Sequence, residues 1–296
     1  MLSTILSYIF NSLPMVSYII ILSFAMNFIL YISARVSLTF AGIYLFGAYL
    51  TVSLGNVLLG KSSSFIGFAA VLILASLVGA AMSIFIYAIF ERFLKTDVHR
   101  MIATASLLMV FSGAIKLKWG TTPVTYSAPF LKMGMSEIMG SFVPNYYFFM
   151  FGCALLLMSA LALFLYRTSW GLRFRASSLD GDRTMAQACG VNQNVVTMIT
   201  FAISGMLASL AGGLYAPIAG ASYGIEGNAL LLAALTIIVG GVGSIAGAVV
   251  TAFIIGIARV ITAVQIPLLE LAVPFIIASV TLMLRPYGIW GKEFKH

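Results

Sequence analysis

The sequence predicts an all-α, polytopic integral membrane protein with a single transmembrane domain over residues 1–296. Hydrophobic residues make up 61% of the chain and charged residues only 8%, against about 25% charged residues in soluble domains. Apolar segments recur along the chain, each near the length of about 20 residues that crosses the hydrocarbon core of a bilayer. The one long polar run, residues 167–195, separates two of them. About eight or nine transmembrane helices are therefore expected.

The apolar segments predict the spans in chain order. We expect helices at Pro14–Ser33, Val36–Leu59, Phe65–Phe90, Met101–Leu117, Tyr146–Tyr166, Val195–Pro217, Ala229–Val239, Ile245–Ile261 and Pro267–Leu284. The stretch Trp119–Val143 contains prolines and has no helical period, so it is expected to be an irregular connection.

The region Asn228–Val264 is too long for one span and has a glycine-rich centre. The glycines Gly240, Gly241 and Gly243, followed by Ser244, predict a break there, because each glycine costs about 1 kcal/mol inside a helix. The region then forms a glycine-broken hairpin. It either crosses the membrane twice or forms a re-entrant break among neighbouring helices.

Basic residues predict the orientation. If the glycine break is a true turn, eleven of the sixteen basic residues fall on one side of the membrane: Arg35, Arg92, Lys95, Arg100, Arg167, Arg173, Arg175, Arg183, Arg285, Lys292 and Lys295. The other side then carries Lys61, Lys116, Lys118, Lys132 and Arg259. The basic side faces the cytoplasm, so the N-terminus is expected outside and the C-terminus inside.

The polar run 167–195 is therefore a cytoplasmic loop, and within it Asp182–Cys189 is expected to form a two-turn helix. Asp180 or Asp182 caps its start, and Gly190 ends it in a left-handed conformation. Met185, Ala188 and Cys189 share one small, apolar face, with Ala186 beside them. A helix of two turns is not stable alone in water, so it rests either on lipid or on a partner protein. Lipid favours larger apolar side chains, so a partner is expected.

Several functional classes lack their sequence requirements. The chain has no phosphate-binding loop of the type GxxxxGK[ST] and no catalytic or metal-ligating set, so it is expected to be neither an enzyme nor a direct binder of ATP or another cofactor. Cys153 and Cys189 are not expected to pair, and the basic residues are too scattered for nucleic acid. The first residues do not resemble a cleaved signal peptide. A secondary transporter remains the alternative, although few buried acids are expected, and no filter-like loop suggests a channel.

Four stretches resemble, in order, the permeases of ABC importers of the branched-chain amino acid type. They are SLTFAGIYLFGAY at Ser37–Tyr49, ERFLKTDVHRMIATASLL at Glu91–Leu108, the segment from GLRFRA at Gly171 through MAQACGVN to FAISGMLASLAGGL ending at Leu214, and GGVGSIAGAV at Gly240–Val249. The resemblance extends from about residue 14 to residue 290. It implies the ABC importer permease fold in an inner membrane.

The resemblance also implies partners and roles. It implies a second permease subunit, homologous or identical, and two ATPase subunits that use the ATP. It also implies a periplasmic or extracellular substrate-binding protein, and contact of the permease with membrane lipid. Family substrates are branched-chain and other amino acids, amides and urea. The residues implied in ATPase coupling are Gly171, Arg173, Arg175, Asp182, Met185, Ala186, Ala188 and Gly190.

Three polar residues are candidates for the substrate path. Asn27 lies midway along the first span and would hydrogen-bond either a solute or another helix. Thr39 lies where the family usually has other polar residues. Arg259 would bind a carboxylate at membrane depth, or else extend to the lipid headgroups or pair with Glu270.

Overall fold

A computed structural model describes residues 2–35, 37–59, 65–94, 96–126, 133–138, 141–179 and 181–291. Several residues of the sequence argument lie outside this described part: Lys61, Lys95, Lys132, Asp180, Lys292 and Lys295, together with the side chain of Arg92. Apart from connecting loops, one short hairpin and an isolated β-bridge between Val124 and Ala221, the described chain is helical, which confirms the all-α prediction.

The first, third and fourth spans are longer than predicted, whereas the second begins at Thr39, three residues after its predicted start. Helix α1 is Leu2–Ser33, α2 is Thr39–Leu54 with a π-helical extension Gly55–Leu59, α3 is Phe65–Phe93 and α4 is Asp97–Trp119. Pro14 was expected to begin α1 but lies inside it. In a membrane a helix continues through proline when neighbouring elements satisfy the freed backbone, and the earlier turns of α1 pack through Phe10 against Phe148, with ring centroids 5.5 Å apart.

The connection after α4 was expected to be irregular, but part of it forms a β-hairpin. Strands β1, Met135–Ile138, and β2, Ser141–Pro144, form an antiparallel hairpin in which Met135 pairs with Pro144. The fifth span, α5, is Asn145–Arg167. Two short helices follow within the polar run: α6, Ser169–Ala176, and α7, Arg183–Ala188.

The remaining helices follow the glycine-broken pattern. Helix α8 is Gln193–Ala219, α9 is Ile225–Gly240, α10 is Ile245–Gln265 and α11 is Ala272–Leu284. The last span was expected to begin at Pro267, but Pro267–Leu269 forms a separate 3-10 turn. Seven helices of the described chain are long and apolar enough to cross a membrane, and α9 and α11 are shorter apolar helices. Together these nine agree with the predicted eight or nine.

Helix α8 is the centre of the bundle, in contact with α1, α2 and α3. Its small residues allow this closeness, as predicted. Gly212 lies directly against the backbone carbonyl of Tyr44, and a Cβ at Gly47 would lie 2.5 Å from the carbonyl oxygen of Ser209. The Ser209 hydroxyl in turn donates to the carbonyl of Ala75 at 2.8 Å. Backbone-to-backbone contact of this kind leaves no room for larger side chains.

The glycine break lies at the same end of the bundle as the polar run. Tyr31, near the end of α1, contacts Gly243 of the break and also accepts a hydrogen bond from the backbone of Leu179 in the polar run. The C-terminal segment lies there too, because the N–H groups of Ile289 and Trp290 donate to the carbonyls of Val239 and Gly240. This arrangement supports the turn on which the charge count depends.

Candidate functional site

The polar run 167–195, here called the coupling segment after the role that the resemblance implies for it, contains two helices where the sequence predicted one. The unpredicted helix is α6, which begins at Ser169 with Thr168 as its N-cap. The Thr168 hydroxyl accepts a hydrogen bond from the N–H of Gly171 at 3.0 Å. Gly171 lies against the carbonyl oxygens of Phe164 and Leu165, so the chain turns sharply from α5 into α6. A residue with a side chain would not fit at position 171, because the backbone there lies against the last turn of α5.

Aromatic packing holds α6 to the bundle. Phe174 is fully buried, with its ring centroid 5.7 Å from that of Phe28 and 5.8 Å from that of Phe164. The two candidate arginines lie over aromatic rings, Arg173 at 4.6 Å from the centroid of Trp170 and Arg175 at 5.4 Å from that of Tyr166. These cation–π contacts stabilise the local fold.

Helix α7 has the predicted caps. The Asp182 carboxylate accepts hydrogen bonds from the N–H groups of Thr184 at 2.9 Å and Met185 at 3.1 Å. Of the two aspartates proposed as caps, Asp182 is thus confirmed, and Asp180 lies outside the described residues. Gly190 has φ of +83°, the left-handed conformation in which glycine carries no penalty.

The exposure of α7 divides its candidate residues into two groups. Ala186 is 5% exposed and faces this chain, whereas Met185 is 67% exposed, and Ala188, Cys189 and Gly190 are also exposed. The face predicted to dock is therefore open on Met185, Ala188 and Cys189. Ala186 belongs instead to the packing of the chain itself, which sequence spacing could not distinguish.

Two hydrogen bonds tie the coupling segment to α1. The N–H of Leu179 donates to the carbonyl of Tyr31 at 2.8 Å. The Nη2 of Arg183 donates to the carbonyl of Ile32 at 2.9 Å, while its Nε donates to the carbonyl of Ser177 at 3.1 Å. Arg183 thus links the first turn of α7 to the end of the first span.

Asn27, a candidate for the substrate path, holds the glycine break. It is 2% exposed, and its Oδ1 accepts a hydrogen bond from the N–H of Gly243 at 2.7 Å. Gly241 and Gly243 both have positive φ, and the Ser244 hydroxyl caps α10 by accepting from the N–H of Gly247. Two alternatives were considered for Asn27, a solute and another helix; its observed partner is the backbone of the break between α9 and α10.

Thr39 lines neither the cavity that includes Asn27 nor the cavity that includes Arg259. It is buried, and its hydroxyl is 2.8 Å from that of Ser37. The structure therefore does not bring the three candidate path residues together.

Arg259 lies toward the opposite end of the bundle, about 22 Å along α10 from Ser244 at 1.5 Å per residue. It is 5% exposed. Its Nε and Nη2 lie 2.9 and 2.8 Å from Oε1 of Glu270, and its Nη1 donates to Oδ1 of Asn228 at 3.1 Å. This pairing with Glu270 was one of the alternatives that the sequence left open. Extension to the headgroups is excluded by the burial.

The Arg259 side chain also lines a cavity of about 290 Å³. The polar wall of the cavity consists of Tyr18, Tyr44, Tyr215, Asn228, Arg259 and Glu270. The rings of Tyr18 and Tyr215 are 4.4 Å apart between centroids. Arg259 thus pairs with Glu270 and lines the cavity at the same time.

Glu226 is a buried acid that sequence reasoning missed. It is 7% exposed, and its Oε1 accepts a hydrogen bond from the hydroxyl of Ser112. Its Oε2 has no hydrogen-bond partner in the described part of the chain. A signal was available, since Glu226 is the one acidic residue between Asp182 and Glu270 and precedes an apolar segment.

Comparisons with known proteins agree on one kind of membrane protein. Residues 8–283 match the family model for the branched-chain amino acid transport system permease component. A probable branched-chain amino acid transport permease protein of Methanocaldococcus jannaschii is 28% identical over 74% of this chain and 73% of its own length. The high-affinity branched-chain amino acid permease protein of Salmonella typhimurium is 24% identical over 97% of this chain and 96% of its own.

A ribose import permease protein of Haemophilus influenzae is 34% identical, but over only 27% of each chain. No solved structure gives a significant match.

Proposed function

The chain belongs to the family of branched-chain amino acid transport system permease components, and from this premise we propose that it is the membrane subunit of an ATP-binding-cassette importer. It forms the path for branched-chain amino acids or for related amino acid, amide or urea-like solutes. Its partners are a second permease subunit, two ATPase subunits and an external binding protein. ATP is used by the ATPase subunits, and this chain carries no catalytic role.

The open face of α7 is the observation that carries the proposal. Met185, Ala188 and Cys189 leave an apolar face exposed on a helix of only six residues. Their side chains are small apart from Met185, whose flexible thioether adapts to an irregular partner surface. A groove in another protein fits such a face better than a bilayer does, because lipid binding favours larger apolar side chains.

The attachment of the coupling segment to α1 supports a route for mechanical coupling. A movement of α7 is transmitted through Arg183 to Ile32 and through Leu179 to Tyr31. Helix α1 packs in turn against α5, α8, α9 and α10. ATP-driven closure of the ATPase subunits would therefore displace α1 against the centre of the bundle and open the path toward the binding protein.

We propose the orientation from the same arrangement. The coupling segment faces the ATPase subunits in the cytoplasm, and the glycine break and the segment ending at Trp290 lie with it. The N-terminus then lies outside and the C-terminus inside. The excess of basic residues at this end supports this orientation.

Charge placed on the open face of α7 tests the proposal. Met185→Glu and Ala188→Glu should insert normally in the membrane but retain about tenfold less ATPase subunit on purification, because docking would bury an unpaired carboxylate. Transport should fall together with the amount of ATPase subunit retained. Gln187→Glu is the matched control, since Gln187 is exposed on another face of the same helix.

Ala186→Glu is a poor test by comparison, because Ala186 is buried in this chain and the variant would disturb its own packing. Normal co-purification and transport in both Met185→Glu and Ala188→Glu would show that α7 is not the coupling element. A loss of ATPase co-purification in Gln187→Glu as well would indicate a general effect of added charge rather than docking on this face.

Buried Glu226 favours a secondary transporter as the second candidate. An ionisable group buried among the helices, with one carboxylate oxygen unpartnered in the described chain, is a candidate coupling-ion site. In that case transport would follow an ion gradient, continue without ATP and stop in Glu226→Gln. In an importer, transport stops when the ATPase subunits are inactivated.

A further inference from the structure

The cavity beside Arg259 has the composition of a binding site for a small solute. Ligand sites are mainly apolar, with a few polar groups that set orientation. Here the apolar wall includes Met15, Ile225 and Val260, and the volume is about 290 Å³. Arg259 and Glu270 supply one positive and one negative charge at the same wall.

The two charges differ in access. The side chain of Arg259 is 6% exposed, and that of Glu270 is 35% exposed. Both close contacts of Arg259 with Glu270 use the same oxygen, Oε1, which leaves Oε2 outside the pair. A solute that enters the cavity can therefore reach both a guanidinium and a carboxylate.

We propose that this cavity binds the transported solute as a zwitterionic α-amino acid with an aliphatic side chain, its carboxylate on Arg259 and its ammonium on Glu270. Guanidinium groups form strong charge-assisted hydrogen bonds with carboxylates. The Met15 and Val260 wall would hold the side chain. The inference rests on the proposed transport function and narrows its substrate class.

The ion pair itself gives the reason for the choice of a zwitterion. A buried charge that loses its partner is strongly unfavourable, and this cost is larger for Arg259 than for the more exposed Glu270. A zwitterion that separates Arg259 from Glu270 supplies a new partner to each. A monocarboxylate leaves Glu270 without its partner, an amine leaves Arg259 without one, and an uncharged amide, urea or sugar supplies neither charge.

Three ligands with the same carbon skeleton test the assignment. Leucine carries both charges, 4-methylpentanoate lacks only the ammonium, and leucinamide lacks the carboxylate. Binding of each is measured on this chain in lipid nanodiscs, with the subunits that co-purify with it and without the binding protein. The wild type should bind leucine about tenfold or more tightly than either analogue.

The variants should remove these preferences selectively. Glu270→Gln should bind leucine and 4-methylpentanoate alike, and Arg259→Gln should bind leucine and leucinamide alike. Thr262→Ala is the matched control, because Thr262 lies one turn beyond Arg259 in α10, bonds through its hydroxyl to Ala258 of the same helix and does not line the cavity; it should keep both preferences. A merely structural ion pair would weaken all three ligands equally in every variant.

That equal loss, or the absence of leucine binding to the wild type, would overturn the assignment. The importer proposal fails separately, through the α7 variants and ATPase co-purification. Selective ligand binding in a chain that retains no ATPase would keep the amino acid site and assign it to another kind of transporter.

Discussion

Asn27→Ala should destabilise the glycine break without weakening solute binding. In the structure, Oδ1 of Asn27 accepts the N–H of Gly243 at 2.7 Å, across 216 positions of sequence. Alanine removes the acceptor and leaves that N–H without a side-chain partner. Because Gly243 has φ of +82° and connects α9 to α10, the loss acts where two helices meet.

The expected cost follows from the burial of the pair. Asn27 is 2% exposed, so water cannot easily take the place of its side chain. A fully buried donor left without its acceptor costs about 1–3 kcal/mol. Because Gly243 is only partly buried, we expect the lower end of this range, about 1 kcal/mol or about 5-fold in an equilibrium constant. Ser23→Ala is the control one turn earlier in α1, because the Ser23 hydroxyl is also buried but bonds only to Ile20 of its own helix.

Two measurements check this prediction. Thermal unfolding in detergent should show a lower apparent Tm for Asn27→Ala and almost no change for Ser23→Ala. A single cysteine at Val242, in the break, should react faster with a thiol reagent in the Asn27→Ala background. An unchanged Tm and an unchanged labelling rate, together with a loss of solute affinity, would refute the structural role and return Asn27 to the substrate path.

Two further predictions concern the packing and the orientation. Gly212→Ala should cost about 1–3 kcal/mol by overpacking against the α2 backbone. Gly152→Ala, where a Cβ would meet nothing within 4 Å, should be neutral or up to about 1 kcal/mol more stable, because alanine is the better helix former. Equal stability of the two variants would contradict the close approach of α8. In a background without native cysteines, a cysteine replacing Met185 should be labelled from the cytoplasm and one replacing Tyr223 from outside, and the reverse pattern would overturn the proposed orientation.

Local properties of the sequence were enough to predict the class, most span positions and the caps of α7. Hydropathy identifies a span because a membrane helix satisfies its own backbone hydrogen bonds and requires apolar side chains along its length. Asp182 and Gly190 could be assigned because a cap acts on residues within one turn. The glycine break was predictable for the same reason, since glycines weaken a helix wherever they occur.

The same local reasoning missed α6 and the hairpin of β1 and β2. Helix α6 is stabilised largely by Phe174, which packs on Phe28 in another part of the chain. Its residues have no long apolar period of their own. A short element of this kind exists because of its tertiary contacts.

The sequence by itself therefore determined that this chain spans a membrane, where its helices break and where its long polar segment lies. Only the tertiary structure decided what its buried polar residues do. It paired Asn27 with Gly243, Arg259 with Glu270 and Glu226 with Ser112, and it turned Ala186 inward. The physical reason is that a buried polar group must find a hydrogen-bond partner, and that partner is fixed by packing between helices distant in sequence.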